Sequence, residues 1–145
     1  MVKKWEKKNS SYFENISFIL DDAEEFKLDS KFDYITASYL PKYCDPEILV
    51  KNCTAHLKPG GKIILHDFTY PKNLVVRGLW NLFLTSLRLV GCFIPSWKDA
   101  LIGLPKLIRR TKWLESYSNV MKKDGLKVNR QYLTCGASAI LTGTK

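Results

Sequence analysis

Polar residues stand at the ends of three apolar runs in this chain, where they are candidates for a ligand site. The pairs are Asp22 with Ala23, Ser38 with Tyr39, and His66 with Asp67. Ligands of open α/β sheets bind just outside the carboxyl ends of the strands. A carboxylate there can accept a hydrogen bond from an exocyclic amine, and the following backbone N–H can donate to a ring nitrogen. We therefore predict a pocket where the three strand ends meet.

The adjacent pair His66 and Asp67 has the residue types of a general acid–base pair. Neighbouring side chains on a strand point to opposite faces, so these two cannot easily share a proton. The alternative is that one side chain packs and the other caps a turn, just as Asp22 has a turn-forming alternative. The sequence therefore assigns no catalytic base.

The elements that position these residues follow the order strand, strand, helix, strand. The apolar runs 16–20, 32–38 and 62–68 predict strands, and the lysine-rich residues 1–12 predict a short helix or a frayed end. Asp45 as the N-cap and Pro46 in the first turn predict a helix that ends at the glycines of 58–61. This order, with short connections, is typical of a parallel α/β sheet.

The second half of the chain changes character. The apolar segment 74–97 predicts a helix with one polar stripe, formed by Arg77, Asn81, Thr85 and Arg88. Its two arginines disfavour a membrane span, which leaves a cap helix packed on the domain or a membrane-surface helix. A further helix ends at Gly125, and two strands joined by a short turn complete the chain.

Length and composition limit the class of protein. With 145 residues, 46% of them hydrophobic, we expect one domain and exclude repeat arrays, collagen-like chains and wholly disordered chains. The four cysteines form no CxxC pair and the two histidines lie near none of them, so we expect no metal site and reduced thiols. The basic N-terminus is followed by no apolar segment, which predicts a cytoplasmic protein.

The positive charge belongs to the second half. Residues up to Phe68 carry a net charge of −1, and those after it carry +10. Such asymmetry is compatible with an anionic membrane surface, nucleic acid or an acidic protein partner, as well as with solvated lysines. Nucleic acid is the least favoured partner, because the basic residues form no known nucleic-acid module.

Four segments of the chain resemble class I S-adenosylmethionine-dependent methyltransferases. They are residues 15–25, 32–38, the Leu-Lys-Pro-Gly-Gly-containing stretch 57–65, and the tail 132–143. The tail and residues 67–71 are most similar to the ubiquinone/menaquinone-biosynthesis C-methyltransferases. This resemblance covers almost the whole chain. It implies that residues 1–145 are a single C-terminal portion of an α/β methyltransferase domain, with a partial Rossmann-like sheet lacking its first two strands, a helical cap insertion at about 72–110 and a C-terminal antiparallel hairpin.

The resemblance also implies a cofactor, S-adenosylmethionine. Asp22 and Ala23 would meet its adenine, and Ser38 and Tyr39 would line its methionine side. A small methyl acceptor, for example a quinol-like ring, would lie on the other side of the pocket. The acceptor side would include Lys42, Tyr43, His66, Asp67 and the cap helix.

The sequence departs from the family pattern in two places. The loop after Ser38 usually carries an arginine in that family, but here it has Lys42, whose ammonium lacks the planar fork of a guanidinium. The family sheet has the order 3-2-1-4-5-7-6, and its first strand, glycine-rich GxGxG turn and second strand have no counterpart in this sequence. We therefore expect a partial sheet with an exposed edge and an incomplete cofactor site.

Two functions of different classes follow. The first is methyl transfer, with the missing cofactor half supplied by a partner or by residues upstream of a wrongly assigned start. The alternative is a non-catalytic remnant or interaction module that binds a protein or a membrane surface through its open edge and basic half.

Overall fold

The computed structural model describes residues 16–93 and 98–145. Its strands are β1 (Phe32–Ser38), β2 (Leu57–Phe68), β3 (Lys127–Leu133) and β4 (Ser138–Thr144). Its helices are α1 (Pro46–Ala55), α2 (Leu74–Phe93), α3 (Lys98–Arg110) and α4 (Trp113–Lys123), and a 3-10 turn, Thr134–Gly136, joins β3 to β4. The predictions for residues 1–12 and for the end of the apolar helix at 94–97 lie outside the described residues.

The four strands form one sheet in the order β1-β2-β4-β3. Strands β1 and β2 are parallel, with Ser38 opposite His66, whereas β4 runs antiparallel to both of its neighbours. This arrangement corresponds to the 4-5-7-6 part of the sheet that the resemblance implies. The mixed α/β fold and the antiparallel C-terminal hairpin are confirmed, and among the described residues no strand pairs with the outer edge of β1.

The predicted strand at 16–20 is wrong. These residues have no regular secondary structure, and Leu20 is 98% exposed. A strand is stabilised by the ladder it forms with a neighbour, and in the family sheet two further strands lie between this segment and β1. Within residues 16–93 and 98–145, no strand pairs with this apolar run, and a turn closed by the carbonyl of Asp22 follows it.

Local capping signals fix the start of α1 and the end of α4, as predicted. The predicted end of α1 at 58–61 is wrong, because the helix ends at Ala55 and those residues belong to β2. The Asp45 carboxylate accepts hydrogen bonds from the backbone N–H groups of Glu47 and Ile48, at 2.8 and 3.1 Å. At the end of α4, Gly125 has a positive φ of 80°, and its N–H bonds to the Lys122 carbonyl. These bonds satisfy backbone groups that helix ends otherwise leave unpaired.

The hydrophobic core lies on one face of the sheet. Side chains alternate along β2, so that Ile63, Leu65 and Asp67 are buried while Ile64 and His66 are only half-buried. The buried side packs against α1 and α4, whose core residues are Leu49, Val50, Cys53, Tyr117 and Met121. Ligand-facing groups must therefore lie at the strand ends or on the opposite face.

Helices α2 and α3 pack against each other in the region predicted as the cap. Leu84 from α2 and Ile108 from α3 are buried, and the Trp80 ring lies 5.5 Å from that of Phe68 at the end of β2. The window Leu74–Gly91 is also long and apolar enough to cross a membrane by length and composition, with a mean hydropathy of 1.2. The side of the helix that carries Leu84 is packed, and Arg77 and Arg88 interrupt its apolar sequence. Both are features of a helix lying on the domain.

The contact between β4 and α4 leaves no room for a side chain at Gly143. A Cβ there would lie 2.9 Å from Met121 Sδ and 3.2 Å from Leu126 Cδ2. We predict that Gly143→Ala lowers the free energy of unfolding by about 1–3 kcal/mol in urea titrations, because overpacking strains the core. Gly78→Ala is the control, since Gly78 is exposed in α2 with nothing near its Cβ, and we expect it to be neutral or stabilising. Equal stability of Gly143→Ala and wild type would contradict this packing.

Candidate functional site

Two of the three predicted strand ends meet at the carboxyl edge of β1 and β2. The Ser38 hydroxyl lies 3.4 Å from His66 Nδ1, within hydrogen-bond distance. The Tyr39 N–H donates to the His66 carbonyl at 2.9 Å, which extends the pairing of the two strands by one residue. Ser38, Tyr39 and His66 therefore form one polar cluster, as the sequence predicted.

Asp67 points to the opposite face and is fully buried. Its carboxylate accepts a hydrogen bond from Lys42 Nζ at 2.5 Å and from the Phe68 N–H at 2.7 Å. His66 and Asp67 thus have separate partners, in agreement with the expectation for adjacent strand residues. An unpaired buried charge is strongly unfavourable. The Lys42 ammonium compensates the buried charge of the Asp67 carboxylate.

The ammonium group of Lys42 is enclosed by aromatic rings. Its Nζ lies 5.5, 5.1 and 5.7 Å from the ring centroids of Tyr39, Tyr43 and Phe68. It also donates to the Tyr39 carbonyl at 3.4 Å. The Lys42 ammonium therefore binds groups within the protein. It positions chiefly the Tyr39 ring, which faces outwards.

Tyr39 has a backbone conformation that non-glycine residues adopt infrequently. Its φ is 60°, and its ring contacts His66 edge-on at 5.2 Å and Phe68 at 5.0 Å. Such conformations persist only where surrounding contacts hold them, and they are enriched at functional sites. The bonds around Lys42 and His66 supply those contacts here.

The Asp22–Ala23 pair reaches the neighbourhood of this edge without a strand. The Asp22 carboxylate accepts the Glu24 N–H at 2.8 Å, and the Glu24 carboxylate accepts the N–H of Asp45, the N-cap of α1. Burial, followed by the charges of Glu24 and Asp22, raises the pKa of the Cys44 thiol. The turn is therefore held against the start of α1, directly after the loop that carries Lys42.

A cavity of about 610 Å³ opens beyond the end of β2, and sequence reasoning missed it. Its walls come from the residues after β2, from the α3–α4 junction and from the β3–β4 connection, and include Tyr70, Arg109, Lys112, Trp113 and Tyr132. The Trp113 indole N–H donates to the Phe68 carbonyl at 2.7 Å, which ties this wall to the strand end. The sequence signals for it were the two family-like stretches that line it, residues 67–71 and the tail from Tyr132 to Gly136.

None of the eight predicted site residues lines this cavity. Phe68 is the link, because it contacts Tyr39 on one side and accepts the bond from Trp113 on the other. On the cap side, the guanidinium groups of Arg77 and Arg109 lie over the Tyr70 ring, 5.1 and 5.8 Å from its centroid. The cavity therefore has aromatic and cationic walls, and through Phe68 it adjoins the polar cluster of Ser38, Tyr39 and His66.

Comparison with known proteins identifies the family of this chain. The family model for the ubiE/COQ5 methyltransferase family matches residues 1–145. The chain belongs to the ubiE/COQ5 methyltransferase family. The ubiquinone/menaquinone biosynthesis C-methyltransferase UbiE of Hahella chejuensis is 27% identical over 138 residues, 92% of this chain and 55% of that protein. The corresponding protein of Teredinibacter turnerae is 26% identical over 141 residues, 94% of this chain and 57% of that protein.

This member of the ubiE/COQ5 family spans about half the length of the curated relatives it matches. Among solved structures, the YcgJ protein from Bacillus subtilis aligns with 99% of this chain and 76% of that chain, at a TM-score of 0.47 and 17% identity. The family as such explains the sheet order, in which β1 to β4 are the last four strands of the expected fold.

The residues present fit the family cofactor in part. Asp22 keeps one carboxylate oxygen beyond the one used by Glu24, and Ser38 has a hydroxyl at the strand end. The glycine-rich turn that would let the cofactor approach the backbone has no counterpart in the sequence. Within residues 16–93 and 98–145, no cluster of three His, Cys, Asp or Glu side chains could hold a metal ion.

The pairing of Lys42 with Asp67 makes a testable prediction. Removing one partner leaves the other charge buried, so we expect Lys42→Met to lower the free energy of unfolding by about 3–5 kcal/mol. The double variant Lys42→Met/Asp67→Leu removes both charges and should recover a large part of that loss. Urea titrations of the single and double variants measure the coupling.

A surface ion pair provides the matched control. Lys58 Nζ lies 2.9 Å from the Asp33 carboxylate, but these side chains are 48% and 68% exposed. Lys58→Met should therefore cost less than about 1 kcal/mol. A Lys42→Met variant that is no less stable than Lys58→Met, or strictly additive losses at Lys42 and Asp67, would contradict the compensation of Asp67 by Lys42.

Proposed function

We propose that this chain supplies the acceptor side of an S-adenosylmethionine-dependent methyl transfer to a small, quinol-like ring. The observation that carries the proposal is the cavity with aromatic and cationic walls that adjoins the polar edge of β1 and β2. Ring-shaped acceptors fit such concave, largely apolar sites with a few polar groups. The names of the relatives, which are quinone-biosynthesis C-methyltransferases, agree with a ring acceptor.

In this proposal the walls of the cavity orient the acceptor and exclude water from it. The rings of Tyr70, Trp113 and Tyr132 offer stacking surfaces for a flat acceptor. Arg109 and Lys112 would favour the ionised form of a quinol hydroxyl, and the added negative charge makes the ring carbons more nucleophilic. Alignment of the two reactants is the main requirement of such a transfer.

S-adenosylmethionine, when bound, supplies an electrophilic methyl group on its sulfonium. We propose that Asp22, Ala23, Ser38 and Tyr39 form this chain's contribution to its site, on the side of the cluster facing away from Lys42. His66 and Tyr43 stay candidates for the acceptor side, whereas Lys42 and Asp67 act by positioning Tyr39. The remainder of the cofactor site, including a glycine-rich turn, would come from residues outside this sequence, on the same polypeptide or on a partner chain.

A non-catalytic interaction module is the second candidate. The outer edge of β1 favours it, because no strand among the described residues pairs with that edge and an unpaired strand edge can pair with another chain. The two candidates differ in whether the cavity binds a ring acceptor. Both are compatible with the cytoplasmic location that we infer.

Acceptor binding can be measured without methyl transfer. We expect 1,4-naphthoquinol, titrated anaerobically into the purified chain in a calorimeter, to bind with one-to-one stoichiometry. Tyr132→Ala should weaken binding about tenfold, because it removes one aromatic wall of the cavity.

Tyr34→Ala is the matched control. Tyr34 is 62% exposed on β1, at the opposite end of the sheet from Tyr132, and its removal should leave the affinity unchanged. Absence of naphthoquinol binding, or equal weakening by the two tyrosine variants, would favour the non-catalytic module.

A further inference from the structure

Helix α2 carries its apolar side chains on the outside of the protein. Seven large hydrophobic residues on this helix are between 48% and 76% exposed: Leu74, Val75, Leu79, Leu82, Phe83, Leu89 and Val90. At 3.6 residues per turn they fall on one half of the helix circumference. We call this surface the α2 apolar face.

Two residues of the predicted polar stripe, Arg77 and Asn81, point towards the protein. Arg77 donates from Nε to the Pro71 carbonyl at 3.1 Å, and Asn81 accepts a hydrogen bond from Arg109 at 2.8 Å. Trp80 and Leu84 complete the packed side of the helix. A helix facing water shows the reverse arrangement, with polar residues outside. Large exposed apolar surfaces of this kind mark interaction sites.

The charge around the α2 apolar face is strongly positive. Residues 69–112 contain eight lysines and arginines and a single acidic residue, Asp99. Among them, Lys72, Arg88, Lys106, Arg110 and Lys112 are exposed. An apolar face with surrounding cations is the composition of helices that lie in the interface of an anionic bilayer.

We propose that the α2 apolar face docks this chain on an anionic lipid surface, with the helix lying in the membrane plane. A symmetric contact with a second copy would bring the two basic caps together, and like charges would oppose it. Protein interfaces are enriched in aromatic residues, Met and Arg, whereas six of the seven exposed hydrophobic residues on this face are Leu or Val. This binding is independent of methyl transfer and is testable without any cofactor.

Flotation of the purified chain with lipid vesicles tests the proposal. We expect binding to vesicles of equimolar phosphatidylcholine and phosphatidylglycerol, and much weaker binding to phosphatidylcholine alone. Raising the salt from about 0.1 M to about 1 M shortens the screening length from about 10 to about 3 Å and should weaken the binding. The double variant Leu79→Gln/Leu82→Gln should lower partitioning about tenfold or more, because it removes two apolar groups from the contact.

The control is Ile19→Gln/Leu20→Gln, which changes two equally exposed aliphatic residues outside the cap. It should partition like wild type, and thermal unfolding by circular dichroism should show that both double variants are folded. Equal partitioning of the two double variants would overturn the proposal. So would a wild-type chain that ignores both vesicle types and sediments as a dimer that Leu79→Gln/Leu82→Gln dissociates.

Discussion

The burial of one carboxylate determines how the carboxyl edge of the sheet is arranged. Asp67 lies at the end of β2 with no exposure to solvent, and such a charge is tolerated only with a close partner and hydrogen bonds. Lys42 provides the partner, and its N–H and Nζ both reach the carboxylate. The loop between β1 and α1 is thereby drawn over the strand end, and Tyr39 is placed in its left-handed conformation against His66 and Phe68. The polar cluster of the candidate site depends on this ion pair.

The arrangement also explains a departure from the family pattern. The resemblance placed a cation in this loop as a group facing the acceptor, but the structure directs the Lys42 cation at Asp67. The guanidinium of Arg109 lines the cavity instead, on the far side of Phe68 and Trp113. The positive charge available to an acceptor therefore comes from the cap and the α3–α4 junction, in the basic half of the chain.

Local signals were sufficient to predict most of the fold. Asp45 with Pro46, and Gly125, set helix ends through bonds within a few residues, and these predictions are confirmed. The segment 16–20 was predicted wrongly, because its apolar composition says nothing about whether a neighbouring strand exists. The Lys42–Asp67 pair joins residues 25 positions apart, and the cavity joins segments from 69 to 136. Contacts of that kind depend on the sheet register, which sequence spacing does not specify.

We proposed that the sheet and the cap form the acceptor side of a ubiE/COQ5-family domain, without the family's glycine-rich turn. The most direct measurement is a calorimetric titration of the purified chain with S-adenosylmethionine. We predict no measurable heat of binding, because in this proposal Asp22, Ser38 and Tyr39 supply only part of the cofactor contacts. Binding with micromolar affinity, weakened by Asp22→Ala, would contradict the division of the site and would show that this chain holds the cofactor on its own.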